Sequence, residues 1–358
     1  GFTSTPTHNS IAPRKGQTIA RRIAGLLAWA PGRNSRSMQD LSKLKGLSEW
    51  LPVRENIEAA VRNVIGDLDN ERVELQMKTL DEMSFPGYVR RRVNYFVDDW
   101  ERVTAWLFVP DGRDEVPGIL CCHQAVAYGK DEPAGVRGES RLAIAKRYAE
   151  MGYVTIAPDS ITCGERQSHG LQALDTKSFY KDNPKRSVLG KMLQDHTYAL
   201  EAMCDLKRVD PARLGVIGHG LGGTNALLLS AFDQRVQCCV SSCGFTRFQD
   251  DKDPERWASE NGFVQLPKLR EAIDKKSFPF DWEHILALIA PTPNLVITAT
   301  NDEVLSNPKS CEKAVKSAKT MYKFLSAADA LAPYTHSGGH ALTPQALEQA
   351  DDWFERWL

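Results

Sequence analysis

Residues 214–223 have the sequence Leu-Gly-Val-Ile-Gly-His-Gly-Leu-Gly-Gly. The apolar first half predicts a short buried strand, and the glycine-rich second half predicts a sharp turn into a helix. This pattern matches the nucleophile elbow G-x-S-x-G at every position except the centre, where Gly220 stands in place of serine. A glycine-rich turn between strand and helix can instead cradle a phosphate, so the elbow interpretation depends on partner residues elsewhere in the chain.

Strand and helix patterns alternate on both sides of this motif, from Val116 onward. Predicted strands are 116–122, 153–157, 214–217, 236–241, 295–300 and 321–325; predicted helices are 140–151, 189–209, 221–232, 282–289, 308–318 and 343–358. Upstream, 73–80, 88–97 and 102–110 alternate polar and apolar residues as half-exposed antiparallel strands do. The alternation predicts an α/β fold with a mainly parallel central sheet, right-handed crossovers and helices on both faces.

The domain organisation follows from where this pattern begins. We expect residues 1–70 to be an N-terminal arm with helices at 18–30 and 54–67 that pack on the core, and 71–358 to be the α/β domain. The stretches 160–186 and 245–279 are too long and irregular for simple connections. They are expected to lie over the carboxyl edge of the strands and to form the walls or lid of a pocket.

Two further signals supply the partners that the elbow requires. The predicted strand at 295–300 is followed by Asp302, and the stretch His336-Ser-Gly-Gly-His340 follows the next predicted strand. Elbow, acid and then histidine is the order found with G-x-S-x-G elbows. The sequence therefore predicts a site formed by position 220, Asp302 and His340, with Glu303 and His336 as local alternatives for the acid and the histidine.

Backbone N–H groups near the elbow are candidates for an oxyanion hole. The predicted strand 116–122 ends in His123 and Gln124, where one N–H donor is expected, and the N–H of Leu221 at the start of the elbow helix is expected to be the second. His219, beside Gly220, belongs to the same predicted binding region. His123 is interpreted as a structural residue of its turn rather than as a catalytic base.

These motifs resemble the α/β-hydrolase superfamily, within it the dienelactone-hydrolase-like and acetyl-xylan-esterase-like branches. The similar stretches are His123-Gln124, Gly129-Lys-Asp-Glu-Pro-Ala-Gly135, Ala157-Pro-Asp159 with Gly164-Glu-Arg166, and Gly338-Gly-His340, beside the elbow itself. The resemblance covers roughly Thr104 to Leu358. It implies cofactor-free hydrolysis of a carboxylic ester or lactone through an acyl-enzyme, with a small-molecule ester or an acylated carbohydrate as substrate.

Gly220 conflicts with that mechanism, because without a hydroxyl or thiol no acyl group can be held at the elbow. Three explanations remain open: an engineered inactivation of a natural serine enzyme, a non-catalytic relative that binds a ligand or partner, or an enzyme whose His340–Asp302 pair activates water. Thr224 and Cys163 are alternative nucleophiles, but both lie off the elbow. Glycine is nevertheless compatible with the strained backbone that an elbow needs.

Composition excludes several other classes. Lys and Arg total 45 against 46 Asp and Glu, so no overall charge attracts nucleic acid or anionic lipid. Eight cysteines in 358 residues do not make a disulfide scaffold, no cysteine or histidine spacing predicts a zinc site, and no apolar run is long enough to span a bilayer. The chain begins with glycine, which is compatible with a removed leader, and compartment and oligomeric state stay open.

Overall fold

The computed structural model describes residues 38–66, 73–258, 262–305 and 307–358. The predicted helix 18–30 and most of the predicted N-terminal arm lie outside the described residues. Within them, nine strands form one sheet: β1 (Lys78–Phe85), β2 (Tyr88–Phe96), β3 (Arg102–Pro110), β4 (Val116–Cys122), β5 (Val154–Pro158), β6 (Val209–His219), β7 (Val236–Ser242), β8 (Asn294–Ala299) and β9 (Leu331–His336). Their order across the sheet is β1-β2-β3-β5-β4-β6-β7-β8-β9.

The sheet has the predicted mixture of parallel and antiparallel strands. β1, β2 and β3 form an antiparallel entry, and β3 also runs antiparallel to β5. Every pairing from β5 through β4 and β6 to β9 is parallel. All residues of β5 and β8 are buried, as expected for strands covered on both faces. The predicted mainly parallel sheet is confirmed.

Helices cover both faces of the sheet. They are α1 (Leu47–Ile65), α2 (Ile144–Glu150), α3 (Lys177–Asp182), α4 (Val188–Cys204), α5 (Leu221–Phe232), α6 (Glu255–Ala258), α7 (Arg270–Lys275), α8 (Trp282–Ile289), α9 (Pro308–Phe324) and α10 (Pro344–Trp357). On one face, Tyr148 of α2 meets Phe354 of α10 edge-on, with ring centroids 5.1 Å apart, in a continuous apolar core. On the other face α4, α5, α8 and α9 contact one another in turn. No helix among the described residues combines the length and apolarity needed to cross a bilayer.

One predicted strand is wrong. Residues 321–325 do not form a strand, because Met321 and Tyr322 continue the buried stripe of α9, at helical spacing from Ala314 and Ala318. The last strand is β9, which contains Pro333. Its two end residues are buried, and the four residues between them alternate between partly exposed and exposed. A proline at the edge of a sheet costs no ladder hydrogen bond, so its presence did not argue against a strand there.

The boundaries of other elements shift by several residues. β1 begins at Lys78 rather than Val73, and α1 begins at Leu47 rather than at the predicted Arg54. Pro52 is the sixth residue of α1 and lies inside the helix, where proline supplies no N–H for the hydrogen bond to the carbonyl four residues back. The C-terminal end of α1 is fastened to the domain, because Ile65 O accepts hydrogen bonds from both the N–H and the hydroxyl of Ser187.

Candidate active site

The predicted elbow is the turn between β6 and α5, and its central residue has an unusual backbone conformation. Gly220 adopts φ 55° and ψ −121°, and its N–H donates to Ser242 O at 2.9 Å. A Cβ atom at position 218 would lie 2.2 Å from the carbonyl of Gly222, and one at 222 would lie 2.2 Å from Cys122 O. Strand and helix can therefore approach this closely only because both flanking residues are glycine.

Asp302 and His340 meet at the same edge of the sheet. Asp302 follows β8, and its Oδ1 accepts hydrogen bonds from the N–H groups of Val304 and Leu305 at 2.8 and 3.0 Å. Its Oδ2 lies 3.0 Å from His340 Nδ1. Burial alone would raise the pKa of Asp302, but the hydrogen bonds from His340 and from the backbone hold it far below its ordinary value. The carboxylate is thus ionised and oriented toward the ring.

The contact with Asp302 fixes the tautomer of His340. An ionised carboxylate only accepts hydrogen bonds, so neutral His340 carries its proton on Nδ1 and leaves Nε2 as an acceptor. Nε2 lies 2.9 Å from the point where a Cβ atom at position 220 would stand, and Gln124 Cβ lies 3.6 Å from that point. The three predicted residues, 220, 302 and 340, therefore converge, and the imidazole occupies the space beside Gly220 where a side chain would begin.

The two local alternatives are placed differently. Glu303 is exposed, whereas the Asp302 side chain is fully buried against His340. His336, the last residue of β9, is buried, and its Nδ1 accepts a hydrogen bond from the Gly338 N–H at 3.1 Å. The geometry thus pairs Asp302 with His340, while His336 helps to shape the turn that carries His340.

The predicted oxyanion region lies where β4 and α5 face each other. Leu221 is the first residue of α5, so its N–H has no carbonyl partner within the helix and lies at the positive end of the helix dipole. Gln124 follows β4, and its side-chain Nε2 donates to Glu132 Oε1 at 3.1 Å. His123 Nδ1 donates to Gln124 O at 2.6 Å, and its Nε2 accepts from the Ser160 N–H. Both ring nitrogens of His123 thus serve the backbone, which supports its structural interpretation.

The ring of His219 packs against the ring of His340. Its ring centroid is 4.4 Å from that of His340, and its Nδ1 lies 3.0 Å from Ser242 Oγ. Burial, and to a smaller extent the neighbouring His340, lower the pKa of His219 to about 3. The side chain that packs against the His340 ring is therefore a neutral imidazole.

Two further residues border the site, and sequence patterns did not single them out. The buried Glu132 carboxylate fixes the Gln124 side chain and has a pKa raised by burial. Cys243, after β7, has a positive φ of 49°. Its Sγ and donor atoms of Asp302 and His340 lie within 4.8 Å of one another, the one such group among the described residues that could share a metal ion. The carboxylate of Asp302 already accepts hydrogen bonds from the backbone and lies against His340. The same closeness of Asp302 and His340 is therefore expected of an acid–histidine pair without a metal ion.

The structure has two cavities of note, one of which borders Asp302. One, of about 380 Å³, lies against Asp302 and is lined by residues from 246–256 and from 300–308. The other, of about 560 Å³, is lined by Arg92 of β2, Trp106 of β3, Tyr128 and residues from 164–167. Parts of both long excursions, 160–186 and 245–279, therefore line cavities at the carboxyl edge of the sheet.

Cysteine chemistry does not add a second site. All eight cysteines lie within the described residues and none forms a disulfide; seven are buried and Cys204 is partly exposed. The alternative nucleophiles are enclosed: Cys163 is buried, and the Thr224 hydroxyl donates to Gly244 O at 2.5 Å. Both side chains are buried, and the Thr224 hydroxyl, which also lies 3.4 Å from Gly220 O, is directed to backbone carbonyls.

Comparison with protein families gives one match across most of the chain. Residues 103–355 match the model of the dienelactone hydrolase family. Among known proteins, the "Putative hydrolase YtaP" of Bacillus subtilis (strain 168) is 24% identical over 300 residues, which is 82% of this chain and 96% of that protein. The predicted family resemblance is confirmed.

Solved structures share the architecture at low sequence identity. A glucuronoyl esterase from Solibacter usitatus superposes with a TM-score of 0.70 at 16% identity, covering 92% of this chain and 99% of that one. A "putative acetyl xylan esterase" from Bacteroides fragilis NCTC 9343 superposes with a TM-score of 0.63 at 16% identity, covering 93% and 84%. At this identity the likeness establishes the fold, and the predicted α/β-hydrolase fold is confirmed.

Proposed function

The chain belongs to the dienelactone hydrolase family, and from that premise we propose that it carries a carboxylic-ester or lactone hydrolase site at position 220, Asp302 and His340. The observation that carries the proposal is that Asp302, His340 and position 220 lie in a row, each next to the following one. Asp302 Oδ2 lies 3.0 Å from His340 Nδ1, and His340 Nε2 lies 2.9 Å from the Cβ position of residue 220. An elbow nucleophile, its base and the acid that orients the base require this sequence of contacts.

Each group has a separate task in this proposal. A hydroxyl at position 220 would pass its proton to His340 Nε2 as it attacks the acyl carbon, and Asp302 would stabilise the imidazolium that forms. The N–H groups of Leu221 and Gln124 would donate to the oxyanion. Ester and acylated-carbohydrate substrates are the proposed class, because the similar structures include a glucuronoyl esterase and a "putative acetyl xylan esterase".

Gly220 leaves the proposed site without a nucleophilic side chain, so we expect its activity to be low. Loss of the nucleophile in a triad typically leaves only about 10³ to 10⁴-fold acceleration over water, from the oxyanion hole and substrate binding. We therefore expect the Gly220 chain to hydrolyse esters far more slowly than a chain with serine at this position. The remaining base and acid are those needed for hydrolysis, which favours a hydrolase site over a binding surface.

Restoring the hydroxyl tests the proposal. The Gly220→Ser variant, the parent and the Gly220→Ser, His340→Gln double variant would be assayed on short acyl aryl esters, acetylated xylo-oligosaccharides and a lactone. The proposal predicts that Gly220→Ser gains hydrolysis of at least one substrate class and that the second substitution removes the gain. If the folded Gly220→Ser variant hydrolyses none of these substrates faster than the parent does, the proposed function is wrong.

A further inference from the structure

We propose that in the Gly220 chain His340 is itself the nucleophile, and that its Nε2 accepts acyl groups from activated donors. The inference rests on the proposed hydrolase site but assigns the reacting atom that the sequence leaves without a candidate. In place of an elbow side chain, the structure presents a nitrogen acceptor 2.9 Å from where that side chain would begin.

Two features of His340 suit it to this role. Its Nδ1 donates to Asp302, so the lone pair of the neutral ring is on Nε2, the atom that faces position 220. Its side chain is 13% exposed, so the ring reaches solvent at the site where Asp302 is fully buried. Histidine forms covalent intermediates in other enzymes, and a carboxylate on the opposite nitrogen stabilises the imidazolium that such a step creates.

No other nucleophilic side chain described at this centre is as accessible. Cys243 is fully buried, and burial together with Asp302 raises the pKa of its thiol far above its ordinary value. Cys163 is fully buried as well, and burial raises the pKa of its thiol to about 12. The Thr224 hydroxyl is buried and bonded to Gly244 O. His340 therefore combines a free lone pair, solvent access and proximity to the elbow.

The proposed reaction has two steps. Nε2 forms a bond to the acyl carbon, and the carbonyl π pair moves onto oxygen beside the Leu221 and Gln124 N–H groups. That pair then re-forms the carbonyl as the leaving group departs with its bonding pair. This leaves an acyl-imidazolium whose Nδ1 proton is shared with Asp302. Water then adds to the acyl carbon, the carbon–Nε2 bond breaks and its electron pair returns to Nε2. The carboxylate product and two protons are released, one of which balances the anionic leaving group of the first step, and His340 is again neutral.

The chemistry of imidazole defines the substrate class. Imidazole leaves a tetrahedral intermediate readily, so the intermediate returns to reactants unless the other leaving group departs more easily. Aryl esters, thioesters and acyl phosphates meet that condition, whereas simple alkyl esters do not. The Gly220 chain is thus expected to process activated acyl groups and to leave alkyl esters intact.

Locating the acyl group in the parent chain tests the inference directly. The Gly220 chain would be mixed with p-nitrophenyl acetate, quenched in acid at short times and mapped by peptide mass spectrometry. His169 is exposed, so it reports the background reactivity of a surface histidine in the same sample. We expect acetyl to accumulate at His340 well before His169, the His340→Gln variant to lose rapid p-nitrophenol release, and ethyl acetate to give no adduct.

The outcomes separate this inference from the proposed function. Acetylation of His340 no faster than of His169, or p-nitrophenol release that depends on His340 without acetyl at that residue, would overturn the nucleophile assignment. In the Gly220→Ser variant the acetyl group should appear at residue 220 instead. Acylation at 220 in that variant, with no adduct at His340 in the parent, defeats only this inference, whereas absence of both defeats the proposed hydrolase site.

Discussion

His340 Nε2 lies 2.9 Å from the Cβ position of residue 220, closer than a real Cβ atom would allow. The His340 ring therefore occupies part of the space that a side chain at position 220 would fill. The close atom is at the far end of a side chain, so a residue with a Cβ at 220 can be accommodated by a small movement of the ring. The turn is thus compatible both with glycine at position 220 and with the side chain that the proposed function requires there.

Adding a side chain at the elbow should cost stability. Gly220→Ala meets both a positive φ of 55° and the His340 contact, and the backbone alone is expected to cost about 1 to 3 kcal/mol. Gly170→Ala is the matched control, because Gly170 also has a positive φ, of 76°, but has no atom within 4 Å of its Cβ position. Urea unfolding should show a larger loss for Gly220→Ala. An equal or smaller loss would show that the His340 contact is not strained.

The loop that carries Gln124 should depend on a buried ion pair. Lys130 Nζ lies 2.8 Å from both Asp159 Oδ2 and Glu165 Oε1, and the Lys130 side chain is only 3% exposed. Lys130→Met leaves the buried Asp159 carboxylate without its counter-charge, which typically costs about 3 to 5 kcal/mol. Lys275→Met, in the exposed Lys275–Glu271 pair, should leave the unfolding midpoint unchanged. Similar midpoints for the two variants would contradict the structural importance of the Lys130 pair.

Acidification should destabilise the chain through His219. Because burial depresses the folded-state pKa of His219 to about 3, from an ordinary value of 6.5, its stabilising contribution is present above 6.5 and is lost as pH falls toward 3. The slope is at most about 1.4 kcal/mol per pH unit for one proton. His219→Gln should therefore lose less stability than the parent between pH 6.5 and 4 in urea unfolding, whereas the exposed-site control His169→Gln should follow the parent. A parallel pH dependence for parent and His219→Gln would show that His219 is not held neutral.

The convergence of residues 220, 302 and 340 at the candidate site could be predicted from the sequence because the signals for it are local. Glycine spacing defines the elbow, and Asp302 and His340 follow strands whose carboxyl ends share one edge of a parallel sheet. What it missed depends on contacts between distant segments. Nothing in the pattern of 321–325 distinguishes a strand from the end of an amphipathic helix, and the link from Glu132 to Gln124 arises only when the loop after β4 folds back.

The most direct test of the central claim, that position 220, His340 and Asp302 form one hydrolase site, is the pre-steady-state reaction of Gly220→Ser with p-nitrophenyl acetate. The account predicts a burst of p-nitrophenol approaching one equivalent per chain, with the acetyl group on residue 220, and loss of that burst when His340→Gln is added. A folded Gly220→Ser variant with no burst and no acetyl at residue 220 would contradict it.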